Sequence, residues 1–274
     1  MTINFRVRHY PILTSTNDLL ALEIEQGRER VWDVVVANWQ ISGQGRQSRS
    51  WVSPPGKGLL FSVLAPTIGT PERLGIISFM AGLAVAEGIA RFLGAEGDLE
   101  NAYITLKTPE GVPVAKRFWE VFSLKWPNDV LAEGKKISGV LSQGMQSSPE
   151  RRYFIIGIGV NVRHREADFP ASITYPATSL YLLNQTDCAP FNLLDPILNA
   201  LSRRYQRLMN GEWGEVLEEW KKHDILLNKE VKIEEIARTT RGTAVDIADD
   251  GGLVILKPDG TRKVVYSAYV HLIT

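Results

Sequence analysis

Cysteine is almost absent: Cys188 is the only one in 274 residues. That excludes a disulfide framework and a cysteine-rich metal site, and makes a reducing, cytoplasmic setting the expectation. Net charge is missing as well, because 31 basic and 31 acidic side chains cancel. The chain therefore lacks the basic excess of a dedicated nucleic-acid binder, and no DNA partner is expected. No apolar run approaches the ~18–20 residues needed to cross a bilayer. The nearest, Ile76 to Ala86, contains Ser78 and Gly82 and is followed by Glu87 and Arg91, so it reads as a buried core helix. Met1 to Arg8 has no apolar signal core, and no membrane partner is expected. Neither Gly-x4-Gly-Lys-[Ser/Thr] nor the third glycine of a dinucleotide fingerprint after Gly43-Gln44-Gly45 is present. The four histidines, His9, His164, His223 and His271, have no spacing that sets two on one face. This argues against a zinc enzyme and a Ser-His-Asp triad, and each is expected to be structural or exposed.

What remains is enough for one large unit and a small one. Strands are expected at Phe5–Tyr10, ended by Pro11, at Val34–Ala37, at Gly58–Leu64, at Val121–Trp126 and, most apolar and therefore central, at Tyr153–Val162. Glu133-Gly134 is expected to turn a hairpin between Val130-Leu131 and Lys136–Leu141. Ser15 and Asp18 have the spacing of a capping box ahead of Leu19, Leu20, Leu22 and Ile24. Helical periodicity runs from about Pro71 to Leu93, from Leu193 to Met209 and from Trp213 to His223. Gly94 to Lys116 reads as a surface excursion, with a small hairpin about Thr108-Pro109-Glu110-Gly111. From residue 227 onward short strands and tight turns predict a small β-barrel, so the expected division is 1–226 and 227–274.

Between two of these strands lies Gln40-Ile41-Ser42-Gly43-Gln44-Gly45-Arg46-Gln47-Ser48-Arg49-Ser50-Trp51. Glycine and serine here suit an ordinary mobile loop. Yet the connection is far longer than the roughly 2–5 residues of a hairpin, and Trp39 and Trp51 supply apolar anchors. Gly43 and Gly45 let backbone approach a ligand, and Arg46 and Arg49 put fixed charge beside it. Together with Lys125 and Lys136, these cations suit a reaction between two anions, such as attack of a carboxylate on the α-phosphate of ATP. Taken singly, each lysine reads better as a solvated surface cation.

The ordered set Ser15-Thr16-Asn17, Gly43-x-Gly45-Arg46-x-x-Arg49-x-Trp51-x-Ser53, Lys125-Trp126-Pro127-Asn128-Asp129, Gly134 to Leu141 and Gly157-Ile158-Gly159-Val160-Asn161-Val162 closely resembles the biotin protein ligases. The resemblance implies an α/β catalytic domain on a mixed sheet followed by an SH3-like barrel. It implies ATP and biotin as substrates, Mg²⁺, and a biotin carboxyl carrier protein domain whose lysine accepts biotin from biotinyl-5′-AMP. It places Ser15, Thr16, Asn17, Gln40, Gly43, Gln44, Gly45, Arg46 and Lys136 around biotin. Arg49, Trp51, Asn128 and Asn161 fall around ATP, Asp129 at the metal, and Lys136, Arg46 and Lys125 in the catalytic group. Because the match begins near residue 5, it implies a form without an N-terminal helix-turn-helix, and a possible homodimer through the sheet edge. Gln44 stands where many members have arginine, Ser48 interrupts a frequent Gly-Arg pair, and Gln143 replaces a common glutamate. A lipoate or octanoate ligase of the same fold is the second reading, and a non-enzymatic binding module, with the barrel holding a peptide or nucleic acid, is the third. Gln40 and the Ser-Thr-Asn cluster favour a polar bicyclic head group over a plain acyl chain.

Overall fold

A computed structural model describes residues 3–69, 73–108, 110–173, 175–185, 187–235 and 238–273. The first half builds β1 (Arg6–Leu13), α1 (Thr16–Glu25), β2 (Asp33–Gln40), β3 (Gly58–Pro66), α2 (Leu74–Phe92), β4 (Tyr103–Lys107), β5 (Pro113–Arg117) and the single turn α3 (Phe118–Val121). Then come β6 (Phe122–Lys125), β7 (Asp129–Ala132), β8 (Lys135–Ser148), β9 (Arg151–Asn161), α4 (Leu180–Asn184), α5 (Leu194–Met209) and α6 (Trp213–His223). The C-terminal part is all strand: β10 (Lys229–Glu235), β11 (Arg238–Ile247), β12 (Leu253–Leu256), β13 (Arg262–Val265) and β14 (Tyr269–Leu272).

Seven strands form one mixed sheet in the order β1-β2-β3-β9-β8-β7-β6, with β1 parallel to β2 and the rest antiparallel. As its apolar run predicts, β9 is the middle strand. Pro11 does not end β1, contrary to expectation. β1 pairs on one side only, with registered partners on either side of Pro11, so the missing N–H costs the ladder nothing. Val121 belongs to α3 rather than to β6. Glu133 and Gly134 both take positive φ, 47° and 73°, as a tight two-residue hairpin turn requires.

Helix α2 lies between this sheet and helices α5 and α6, and its residues from Ile76 to Ala90 are all buried. The sequence understates it: its 19 residues are long and apolar enough, by composition, to span a bilayer, but 83% of the apolar window is buried in the protein. The start expected at Pro71 lies outside the described residues. Small residues on α2 let its neighbours close in, since a Cβ at Gly82 would sit 2.8 Å from the Trp220 ring and one at Gly88 2.5 Å from Ile197. Glu87, also on α2, meets Arg204 Nε at 2.8 Å and Arg203 Nη2 at 2.9 Å. Burial pushes the Glu87 carboxyl up, but the two guanidiniums outweigh it and hold the group below its usual range. Helix α1 covers the opposite face of the sheet through Leu20 and Ile24.

The excursion from Gly94 to Lys116 is more than surface. Its hairpin β4–β5 has one exposed strand, but Ala102, Ile104 and Leu106 are buried in the main core. The C-terminal strands form a separate antiparallel sheet ordered β13-β12-β11-β10-β14. It is tied to the rest by Trp126 Nε1 donating to the Gly251 carbonyl at 2.9 Å and by Lys221 against Asp246 at 2.8 Å. Behind Trp126, Asp224 accepts from Trp126 N (2.7 Å), Trp220 Nε1 (3.0 Å) and Leu226 N (2.8 Å). Burial nonetheless raises Asp224 to about 6, against the pull of those donors and of Lys125.

Candidate active site

A cavity of about 540 Å³ opens where β3, β8 and β9 pass under the start of α1. One end is uncharged and locked by hydrogen bonds. Ser15 caps α1, its Oγ accepting the Asp18 N–H at 3.5 Å. Gln40 Oε1 accepts the Thr16 N–H at 2.6 Å and meets the Thr16 hydroxyl at 3.0 Å. Buried Ser62 on β3 bridges Thr16 Oγ1 (2.6 Å) and Asn17 Oδ1 (2.5 Å), and Asn17 Nδ2 donates to Gln143 Oε1 at 2.8 Å. Gln143 therefore supplies the acceptor that a glutamate would supply there. Ser62 carries no motif signature, and its part in this network was not read from the sequence.

The glycines of β9 now have a reason. A Cβ at Gly157 would collide with Asn17 Oδ1, and one at Gly159 would sit 2.5 Å from the Trp51 indole. A third glycine, Gly139 on β8, also faces Trp51, at 3.1 Å. The indole lies in a trough that only glycine leaves open, with its Nε1 buried and without a hydrogen-bond partner.

The other end is cationic. Lys136 Nζ lies 2.5 Å from Asp129 Oδ1, an ion pair rather than an aligned hydrogen bond, and 5.5 Å from the Trp51 ring. Lys125 is buried, with its Nζ 4.9 Å from the Tyr175 ring. Burial lowers its pKa most, Lys136 and Arg49 add to that, and Asp129 and Asp224 oppose it. Asn128 donates to the Val140 carbonyl, and Asn161 donates to the Thr178 carbonyl at 3.0 Å, which fixes both amides. Arg46 and Arg49 reach the same cavity from the long loop. Arg46 Nη2 donates to the Tyr266 carbonyl at 2.9 Å, and the Arg49 guanidinium stacks 3.2 Å above the Tyr269 ring. Burial lowers the Arg46 pKa and the Asp129 charge raises it, but an arginine stays protonated.

All the residues expected at the site line this cavity except Gly43, which lies on the outer side of the loop. Gly43 closes the loop base, its carbonyl accepting Trp51 N–H at 2.8 Å. Gln44 ties the loop to α1 by donating to Asp18 Oδ1 at 2.9 Å. Three groups of lining residues were not anticipated: Phe169, Ile173 and Tyr175 from the segment after β9, Trp126, and Ala268 to His271 from the C-terminal sheet. His271 is thus at the cavity, whereas His164 is structural, buried against Phe169 with Nε2 3.0 Å from Ser53 Oγ. Burial drives His164 down to about 4. Among the described residues no group of three or more His, Cys, Asp or Glu side chains could hold a metal, and Asp129 is a lone carboxylate beside Lys136.

The model of the Biotin/lipoate A/B protein ligase family matches residues 10–161, more than half of the chain. The chain belongs to that family. A second model, the biotin protein ligase C terminal domain, matches residues 226–272 of this ligase family member. The sequence is similar to the bifunctional ligase/repressor BirA of Bacillus spizizenii, with 29% identity over 96% of this chain and 73% of the relative. It is also similar to the biotin–[acetyl-CoA-carboxylase] ligase of Mycobacterium tuberculosis, with 28% identity over 94% of this chain and 86% of the relative. The structure of biotin protein ligase from Aquifex aeolicus in complex with biotin and ATP superposes with a TM-score of 0.73, 26% identity, and coverage of 97% of this chain and 99% of that one.

Proposed function

We propose that this member of the family is an ATP-dependent ligase that converts biotin to biotinyl-5′-AMP and transfers it to one lysine of a biotin carboxyl carrier domain. The observation that carries this reading is the two-ended cavity. Four cations, Lys125, Lys136, Arg46 and Arg49, face an uncharged end built from Ser15, Thr16, Asn17 and Gln40. A polar bicyclic head group suits the uncharged end, and its carboxylate would then reach the cations. In the first step a carboxylate oxygen bonds to the α-phosphorus of ATP and pyrophosphate leaves. In the second, the acceptor ε-amine bonds to the acyl carbon and AMP leaves. Both reactants of the first step are anions, so fixed cations offset their repulsion and the charge that grows in the transition state.

The proposal assigns Lys136 to the carboxylate and α-phosphate, Arg46 and Lys125 to the phosphates, and Arg49, Trp51, Asn128 and Asn161 to the nucleotide. The unpartnered Trp51 N–H supports that assignment, since a ligand acceptor would satisfy it. Mg²⁺ usually binds through one or two carboxylates together with substrate phosphates, which fits Asp129 as a single protein ligand. The proposal includes the division into 1–226 and 227–274, a carboxylase carrier domain as acceptor in the cytoplasm, and a homodimer across an edge of the seven-stranded sheet.

The test is to supply ATP and Mg²⁺ with biotin, lipoate or octanoate in turn, and to follow pyrophosphate release and transfer to a carrier domain. Biotin alone is expected to support both. Turnover with lipoate and none with biotin would replace this reading with the lipoate one.

A further inference from the structure

The C-terminal sheet contributes a short run to the site, Tyr266 to Tyr269, and this run meets the arginine loop at three successive points. Arg46 Nη2 donates to the Tyr266 carbonyl at 2.9 Å, Gln47 Nε2 donates to Ser267 Oγ at 3.1 Å, and the Arg49 guanidinium lies 3.2 Å from the Tyr269 ring centroid. Tyr269 begins β14 and pairs with Glu234 on β10. The Glu234 carboxyl is held below its usual range, by Lys232 first and, through weaker charge contacts, by His271 and Arg49. The sheet thus offers Arg49 both an aromatic face and a nearby negative charge, the two features that hold a guanidinium. The ends of the loop are also tied, by Gly43 against Trp51 and by Gln44 against Asp18.

We propose that Tyr269 is a positioning residue: its ring holds Arg49, and with it the arginine loop, across the cavity, so that the C-terminal sheet retains the activated intermediate. This inference rests on the ligase reading. Loss of the latch has a defined chemical cost. Water reaches the mixed anhydride, its oxygen bonds to the biotinyl carbonyl carbon, the bond from that carbon to the phosphate oxygen breaks, and biotin carboxylate and AMP leave, with the two protons of the water passing to solvent or to the AMP phosphate. A cation–ring contact at an exposed position corresponds to roughly a two- to fivefold effect.

The experiment measures AMP formation from biotin, Mg²⁺ and ATP without acceptor, as a leak, alongside transfer to a carrier domain. For Tyr269→Leu the leak rises about two- to fivefold relative to transfer, and Tyr269→Phe, which keeps the ring, returns that ratio to near the wild-type value. In an Arg49→Ala background Tyr269→Leu adds nothing further, because both act through the same contact. An unchanged ratio for Tyr269→Leu, a Phe variant as leaky as Leu, or an equal rise with and without Arg49 would each overturn the proposal. Wild-type protein that releases no pyrophosphate with biotin would instead overturn the ligase reading, and is seen before any variant is made.

Discussion

The floor and the roof of the cavity are built to different standards. On the floor, Thr16, Asn17, Ser62 and Gln143 consume one another's donors and acceptors, and three of the four are almost fully buried. The roof, from Gln44 to Arg49, reaches the rest of the protein through exposed or half-buried side chains at 2.9–3.2 Å. A satisfied buried network has one arrangement, whereas exposed contacts exchange readily with water. The difference suits two tasks: a fixed floor can select a head group by its polarity, and a loosely held roof can open and close over a hydrolysable intermediate.

The largest effect is expected where the two surfaces meet. Lys136→Ala should lower adenylate formation about 10²- to 10³-fold, the usual effect of removing one preorganised transition-state partner. Circular dichroism should stay near wild type, and the melting transition should fall only by what the lost ion pair to Asp129 contributes. A variant with wild-type pyrophosphate release would remove Lys136 from the mechanism.

Next in size is damage to the floor alone. Gly157→Ala drives a methyl group into Asn17, whose amide is pinned at both ends, so overpacking of about 1–3 kcal/mol is expected. It should appear as lower stability in urea together with weaker biotin binding by calorimetry. If the variant binds biotin normally, the floor is less rigid than its hydrogen bonds indicate.

Two buried titrating groups brace the roof, and they work against each other. His164 holds Ser53 where the loop rejoins the sheet, and its pKa is lowered from 6.5 to about 4. The stability it confers is present above pH ~6.5 and is lost as pH falls through its folded value. Asp224 supports Trp126 beneath the C-terminal sheet, and its pKa is raised from 3.8 to about 6. Its contribution is present below pH ~3.8 and is lost as pH rises through its folded value. Each shift corresponds to about 3 kcal/mol, so between pH 4 and 6.5 the two largely offset. Asp224→Asn should therefore steepen the loss of unfolding free energy on acidification through that window, and His164→Gln should reverse it. Parallel slopes for both variants would show that neither group governs the profile.

The smallest effect belongs to the roof's most exposed tie. Gln44→Ala removes the contact to Asp18, and stability should change by no more than about 0.5 kcal/mol. Adenylation should change less than twofold by pyrophosphate release.

Much of this was legible from local signals. Alternation and apolar runs located the strands of the main sheet, and turn chemistry located Glu133-Gly134 and the C-terminal strands. The motif residues converge on one cavity because they sit at strand ends, at the start of α1 or in the long loop between β2 and β3, where sequence punctuation is strong. Ser62 was invisible because a lone serine in an apolar strand has no local signature; its meaning depends on Thr16 and Asn17 arriving from α1. Tyr175 and Tyr269 were missed for a related reason, since cavity walls supplied by segments distant in the chain leave no local signature. Pro11 misled because a proline stops an interior strand but not an edge one.

The strand order carries a practical consequence. The floor is shared between β3 and the β8–β9 pair, which lie on opposite sides of the β4–β5 hairpin in the chain, and that hairpin turns at exposed residues 110–112. A chain divided there yields two fragments, each with part of the cavity and neither with a complete floor, at a site suited to interruption. Activity would return only when β9, carried with β8, docks against β3, so the divided protein would report the meeting of any two partners fused to its halves.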